Sequence, residues 1–558
     1  MSEREGDIFS DNKTVTFSQK HHLQSVNNSL SNPQPVKGIV FWTPPKQRQR
    51  WGDPDCLPHI NWGDLFFDLF YVAAAYNLAY VLYNSPSAEG GFLFFTGLFG
   101  PILLEWFQRT LFDARFLWGD DPFHRAFEVL HLCALSFAVV HIRPVSTMID
   151  PTQPDMFYFS AGVVCLALLN IYRSLEVIFT VVGEDAAKHG ERRWLVGFTF
   201  QLAFYLGALV KSGIAHFGGG EHTVNYDFGN RGLDLTNACS RILNPVPESD
   251  SAEGPEGKDR IPIILLLCGW SISMTFVVIR ACFVEQPNGE HKKFNVPMNV
   301  EYLIHRFGEL VMLLLGESIL SILIVEPTQS VEYKITLYAA ILSVILLQYC
   351  HYKYQPHSAS MHAIRRSIKG GAIYFAIMIV YCHALVAVGA SYKLFLSHHN
   401  EERLKYNNLR HLMKRLLAGA GEKTKFYALE KEQATTNMFC ISMVVLWFCL
   451  EIAWITHNGT DRYWSYRKTK PGLCCGLLRV VWICLMGTIS LYSTQPENVT
   501  LIGLALICAE IATSVITDYF WSKQFGDVNV EDGHWPNVTE PESVPGPKES
   551  ADKQDDLT

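Results

Sequence analysis

Read for the spacing of apolar and polar positions, the chain is a succession of long apolar stretches separated by short charged ones. The stretches lie near 62–83, 91–111, 124–142, 157–182, 194–216, 261–284, 300–325, 332–351, 371–396, 434–457, 474–492 and 499–521. Each has about 18 to 25 mostly apolar residues, the length a helix needs to cross a hydrocarbon core. A soluble helix would carry one apolar stripe and one polar face. These segments are apolar nearly all round, which predicts an all-α, polytopic transmembrane helical bundle of about 12 spans.

Composition agrees with that pattern. Of 558 residues, 49% are hydrophobic and only 18% charged, against about 25% charged in soluble proteins. The charges gather in the tails and loops. Residues 1–55 are rich in Ser, Asn and Gln and are expected to be a disordered or loosely attached tail. A first membrane unit covers 56–396, a polar and partly helical loop 397–433, a second set of transmembrane helices 434–523, and an acidic disordered tail 524–558. The opening MSEREGDIFSDNK has no apolar core of a cleaved signal, so the first span is expected to act as an uncleaved insertion signal.

A net charge of −8 and the lack of basic tracts interleaved with aromatics argue against nucleic acid as a partner. The partners implied are the lipid bilayer and a small solute or ion. No cofactor or metal motif is present: the 14 cysteines lie mostly inside spans, without C-x-x-C pairs, and read as small apolar fillers.

The basic residues orient the chain. Lys46, Arg48, Arg50, Arg115, Arg125, Lys188, Arg192, Arg193, Lys292, Lys293, Arg365, Arg366 and Lys369 all fall on one side when both termini are cytoplasmic, with the acidic 218–260 loop opposite. The basic loop 398–433 falls on the opposite side too. Either a span beside it is miscounted or its charge does not bear on topology.

Charged residues inside the spans are the candidate chemistry, because each costs about 2.5–3.5 kcal/mol to insert and so faces a partner or a polar route. Asp64 and Asp68 share one face of the first span. In the second, Glu105, Arg109 and Asp113 form an acid–base–acid ladder at four-residue steps. Arg173 and Glu176 stand one turn apart in the fourth. The seventh begins His305-Arg306-Phe-Gly-Glu309 and runs to Gly316-Glu317-Ser318, which puts Arg306 and Glu317 on nearly one face and Glu317 near mid-membrane, without a cation beside it in its own helix. Gly316 is expected to let another helix or a solute approach. His383 sits halfway along the ninth span, and Glu451 and Glu510 lie deep in the tenth and twelfth. An ion or proton route through Asp64, Asp68, Glu105, Arg109, Asp113, Arg306, Glu309, Glu317 and His383 is one reading. Interhelical ties that only fix packing are the other.

Four segments, NWGDLFFDLFYVAA, DARFLWGDDPFHR, HRFGELVMLLLGESIL and YCHALVAVGA, resemble the signature segments of the low-temperature-requirement protein A family. They come in that family's order and span roughly 60–395, and the helices after 396 look like an added or diverged part. The chain departs from the pattern at His305, where the family commonly has an acid, and at Tyr352-Lys353-Tyr354, where an aromatic-aromatic-Asp run is usual. The resemblance implies a multi-pass membrane protein named for a growth phenotype, with no molecular activity attached to the name.

Spans one to three and seven to nine also share a loose pattern at offsets near 240 residues, including Phe67-Asp68 against Phe307-Gly308-Glu309 and His141 against His383. A parallel six-helix repeat accounts for it, and so does the general habit of polytopic chains to share aromatic and basic loop ends. The functions to weigh are a transporter or channel, which can be proton-coupled; a membrane enzyme acting on a lipid-like substrate; and a non-transporting scaffold or sensor. The enzyme lacks an H-E-x-x-H or G-x-S-x-G motif. A retinal-type photoreceptor is disfavoured, because its Schiff base needs a buried lysine and Lys211, near the end of the fifth span, is the only candidate.

Overall fold

The computed structural model describes residues 40–48, 62–85, 88–118, 121–150, 153–181, 185–217, 260–283, 296–356, 361–412 and 421–525. Twelve long helices dominate the described residues: α1 (Trp62–Asn84), α2 (Leu93–Asp113), α3 (Pro122–Val140), α5 (Asp155–Thr180), α6 (Asp185–Phe217), α7 (Ile261–Phe283), α8 (Val300–Leu323), α9 (Val331–Tyr354), α11 (Ile368–Leu412), α12 (Gly421–Asn458), α14 (Lys470–Tyr492) and α15 (Pro496–Phe525). Short helices α4 (Val145–Met148), α10 (Ala363–Arg366) and α13 (Thr460–Arg467) lie in the connections. The expected all-α polytopic bundle is therefore present.

Eleven of the twelve are long and apolar enough to cross a membrane. The other is α8, where Arg306, Glu309 and Glu317 crowd an otherwise apolar helix. Its helix-forming signals are complete: Asn299 caps it by accepting the backbone N–H of Tyr302 at 2.9 Å, and Leu, Val, Phe and Ile fill the core-facing positions. We read α8 as the seventh of twelve spans, held in the bundle by what its charges meet rather than by hydropathy.

The packing of helix on helix repeats after six spans. In the first half, the packed pairs are α1 with α2 and α3, α2 with α5 and α7, α3 with α5, α5 with α6, and α6 with α7. Every one recurs in the second half, as α8 with α9 and α11, α9 with α12 and α15, α11 with α12, α12 with α14, and α14 with α15. Six spans per unit carry both units through the bilayer in the same sense. Their first helices, α1 and α8, pack on each other at the seam.

The symmetry breaks at the third member. α11 also packs against α1, α2 and α7 of the first unit, and 83% of its apolar window is buried, against 33% for its counterpart α3. A helix enclosed on all sides needs small residues where backbones meet, and α11 supplies Gly389 where it crosses the Ser318 side chain of α8. α11 is thus the central post of the bundle, and α3 faces outward.

Two expectations change here. Residues 41–48 are not loose: Lys46–Gln47 pairs antiparallel with Phe116–Leu117, Thr43 donates to Asp121, and Trp42 Nε1 donates to Glu176 at 2.7 Å. Residues 1–39 and 49–55 of the expected N-terminal tail, the acidic 218–259 loop and the tail from 526 lie outside the described residues. The helices flanking the basic loop are both spans, so miscounting does not explain that loop's charge. α11 and α12 instead continue as helix to Leu412 and from Gly421.

Candidate functional site

The in-membrane charges gather into four groups. The first straddles the seam. Arg306 of α8 donates through Nη2 to Asp68 Oδ1 of α1 at 2.7 Å and through Nη1 to Glu309 at 2.7 Å. Asp68 also accepts from Trp106 Nε1 of α2 at 2.8 Å and is fully buried. One turn earlier, Asp64 accepts the Tyr302 hydroxyl at 3.3 Å. The shared face of Asp64 and Asp68 is therefore the face turned to α8.

The second group lies inside the first repeat. The Glu105–Arg109–Asp113 ladder does not close as a ladder. Arg109 Nε reaches Asp113 at 3.5 Å, whereas Glu105 turns to α5 and α3, accepting from Asn170 and standing 3.2 Å from His131 Nε2. An amide chain continues from it: Asn170 donates to Gln108, Gln108 to Gln201, and Gln201 to the Tyr205 hydroxyl. A cavity of about 20 Å³, room for about one water, opens beside Gln108 near Trp194 and Ser273. Arg173 and Glu176 part company despite their spacing. Arg173 points to His131 and Asn170, and Glu176 accepts from Trp42 and faces His124 Nε2 at 3.0 Å. Neither is served by its neighbour because i,i+3 spacing allows a pair without requiring one.

Just outside the span, Asp121 caps α3. Burial pushes its carboxyl up, but hydrogen bonds from Thr43, the His124 backbone and the His124 ring overcome this and hold it well below the usual range.

The third group corrects one expectation for Glu317. It lies 17 residues beyond Val300 and six before Leu323, so it stands about 26 Å from one end of α8 and about 9 Å from the other, not near mid-membrane. The cation that acts on it comes from another helix: Lys393 of α11, through space and without a direct ion pair. Lys393 Nζ stands 5.0 Å from the Tyr76 ring and 5.9 Å from that of Tyr83. Ser321 donates to Glu317 Oε1 at 2.6 Å, while the buried Oε2 has no partner. Gly316 does not open a helix crossing, since nothing lies within 4 Å of where its Cβ would stand.

His383 belongs to none of these groups. Its Nδ1 donates to the Ile379 carbonyl at 2.8 Å, and its ring is boxed by Trp270, Phe95 and Phe99. It is a packing residue of the central helix. Glu451 and Glu510 are brought together by Arg479, which pairs with both, and Arg467 adds a second bond to Glu451 at 2.7 Å. This closed tie joins α12, α14 and α15 within the second repeat.

Sequence reasoning missed Lys393, Arg479 and the amide chain. Lys393 stands three residues inside the end of the ninth predicted span, where a lysine ordinarily reads as reaching for the interface. Asn170, Gln108 and Gln201 are uncharged and leave no mark on a charge-based reading.

The fold and its groups define a class: a polytopic α-helical membrane protein of two parallel six-helix repeats with charged side chains at and beside their seam. Within that class, the profile of the bacterial low temperature requirement A protein (LtrA) family matches residues 59–523, and the chain belongs to this family. The match runs through the last three spans as well, so the helices after 396 belong to the family's unit and are not an addition to it. No curated protein and no solved structure matches the chain.

Proposed function

We propose that the protein moves a small solute or ion across the bilayer, its two repeats being the parts that shift against each other. The reading rests chiefly on the Asp68–Arg306 pair, an ion pair placed where the first span of one repeat meets the first span of the other. A buried ion pair adds little stability over apolar packing of the same shape. Its use is in an interface that must reopen, because charged surfaces accept water when parted and apolar ones do not. Arg306 already divides its bonds between Asp68, fully enclosed, and Glu309, one-third exposed, so it has a partner in either arrangement. Carriers of parallel repeats hold their solute at such a seam.

Glu317 and Lys393 supply a second acid–base pair on α8 and α11, close but unjoined. Such a pair can take up or release a proton as water reaches it, which suits proton coupling. Reconstitution into liposomes with an internal pH dye and imposed ion or solute gradients tests the reading. Flux in the native protein that is lost in Asp68→Asn supports it. Turnover of membrane lipid with no flux overturns it in favour of a membrane enzyme.

A further inference from the structure

Residues 41–48 lie at the end of the bundle where α1 and α8 begin, and they touch both repeats. On the first repeat, Trp42 Nε1 donates to Glu176 Oε1 of α5 at 2.7 Å. The Thr43 hydroxyl donates to Oδ2 of Asp121, the cap of α3, at 2.6 Å, and the Thr43 backbone N–H reaches the same oxygen at 3.1 Å. His124 of α3 ties the two acceptors together, with Nδ1 2.7 Å from Asp121 Oδ2 and Nε2 3.0 Å from Glu176 Oε1. Lys46–Gln47 then pairs with Phe116–Leu117, just past the end of α2.

The contact with the second repeat is Arg48. Its guanidinium carbon lies 4.4 Å from the centre of the Tyr302 ring, in the first turn of α8. Tyr302 is a seam residue, 5% exposed, whose hydroxyl donates to Asp64 of α1. The backbone seats Arg48 in this place. Its N–H donates to the Arg115 carbonyl at 2.8 Å, and the preceding carbonyl, that of Ala114, accepts the Asn299 N–H at 3.0 Å. Neighbouring carbonyls after α2 thus hold the strap and the start of α8. The Arg48 charge also acts on Asp113, the last residue of α2.

The way the strap is held suits release. Its ladder is two residues long on each side, and so short a pair does not hold by itself. Val40 and Phe41 are 55% and 69% exposed, so little apolar area seals it down. Side-chain hydrogen bonds to two carboxylates fix it instead, and water can replace these. A segment with few buried apolar contacts opens at far lower cost than the whole fold.

We propose that residues 41–48 are a latch on the seam. Trp42 and Thr43 anchor it to the first repeat, Arg48 closes it on Tyr302 of the second, and lifting it frees the start of α8. This rests on the transport reading, which makes the seam the part that moves. The latch is measurable without flux, however, so the two can fail separately.

The test is hydrogen–deuterium exchange on the full-length protein in detergent, resolved by mass spectrometry to peptides covering 41–48 and 299–306. Arg48→Gln leaves both anchors and removes the cation from the Tyr302 ring. It should speed exchange at 299–306 about fivefold or more, the size of one desolvated cation–ring contact. Trp42→Phe with Thr43→Ala keeps Arg48 and removes both side-chain donors. It should speed exchange at 41–48 and at 299–306 together, with α12 and α15 staying native. Faster exchange confined to 41–48 in the double variant overturns the proposal, leaving a strap packed on the first repeat alone. Native exchange at 299–306 in Arg48→Gln overturns it equally. The expected responses in a protein that shows no flux in liposomes keep the latch and remove the transport reading.

Discussion

Arg306 and Asp68, 238 residues apart in the chain, are joined at 2.7 Å across the seam of the two repeats. The bond links the sixth residue after the start of α8 to the sixth after the start of α1, so equivalent levels of the two first spans meet. Arg306→Ala strands a fully buried carboxylate. It should cost about 3–5 kcal/mol and lower both folded yield and melting temperature in detergent. The double variant Arg306→Met with Asp68→Leu removes both charges and should recover most of that loss. Unchanged stability in Arg306→Ala would mean that Arg306 is answered by water.

Glu317→Gln keeps the hydrogen bond with Ser321 and the shape of the side chain but deletes its charge and titration. The variant should insert and fold as the native protein does and lose proton-coupled flux in liposomes. Lys393→Met should have the same phenotype, because the through-space partner is removed from the other helix. Full flux with native pH dependence in both would leave the pair as packing.

His362 gives a pH dependence outside the spans. Its Nδ1 accepts the Ile364 backbone N–H at the start of α10, and burial together with the His457 ring beside it holds the imidazole down at about 2. Unfolded, it takes a proton near pH 6.5. Between those values the unfolded chain binds more protons, so stability falls as pH drops below about 6.5, by up to about 1.4 kcal/mol per pH unit. His362→Asn keeps an acceptor for the helix start and does not titrate. Its melting temperature should fall less between pH 7 and 5 than that of the native protein. Equal slopes would show that the site is open to water.

If all twelve helices cross, both chain ends fall on one side, and the distribution of Lys and Arg predicts that this side is the cytoplasm. Accessibility tags at the two termini should report together, with tags in 218–260 and 400–430 reporting opposite. Termini on different sides would mean that one of the twelve does not cross, α8 being the first to re-examine.

Much of the architecture was legible in the chain because a membrane leaves few choices. An apolar run of the right length becomes a helix, and helices at this spacing become a bundle. The start of α8 and the acidic face of α1 could be read from four-residue spacing, as could the rough 240-residue echo between the halves. Which charges meet could not. Arg109 lies equally spaced from Glu105 and Asp113, yet only Asp113 comes within reach, because Asn170 and His131 draw Glu105 away. Arg173 and Glu176 share a turn and face different helices.

The sequence by itself determined the helices, their number and which residues carry charge into the bilayer, since local spacing and hydropathy suffice for these. Only the tertiary structure decided that the halves pack by one plan, that α11 rather than α3 takes the centre, and that Lys393 stands opposite Glu317. Those are relations between residues far apart in the chain, set by which helix faces fit together. The same packing decided that Arg173 turns to His131 and Asn170 rather than to Glu176 beside it. A lone sequence lists the charges in order, and only the assembled helices show which of them meet.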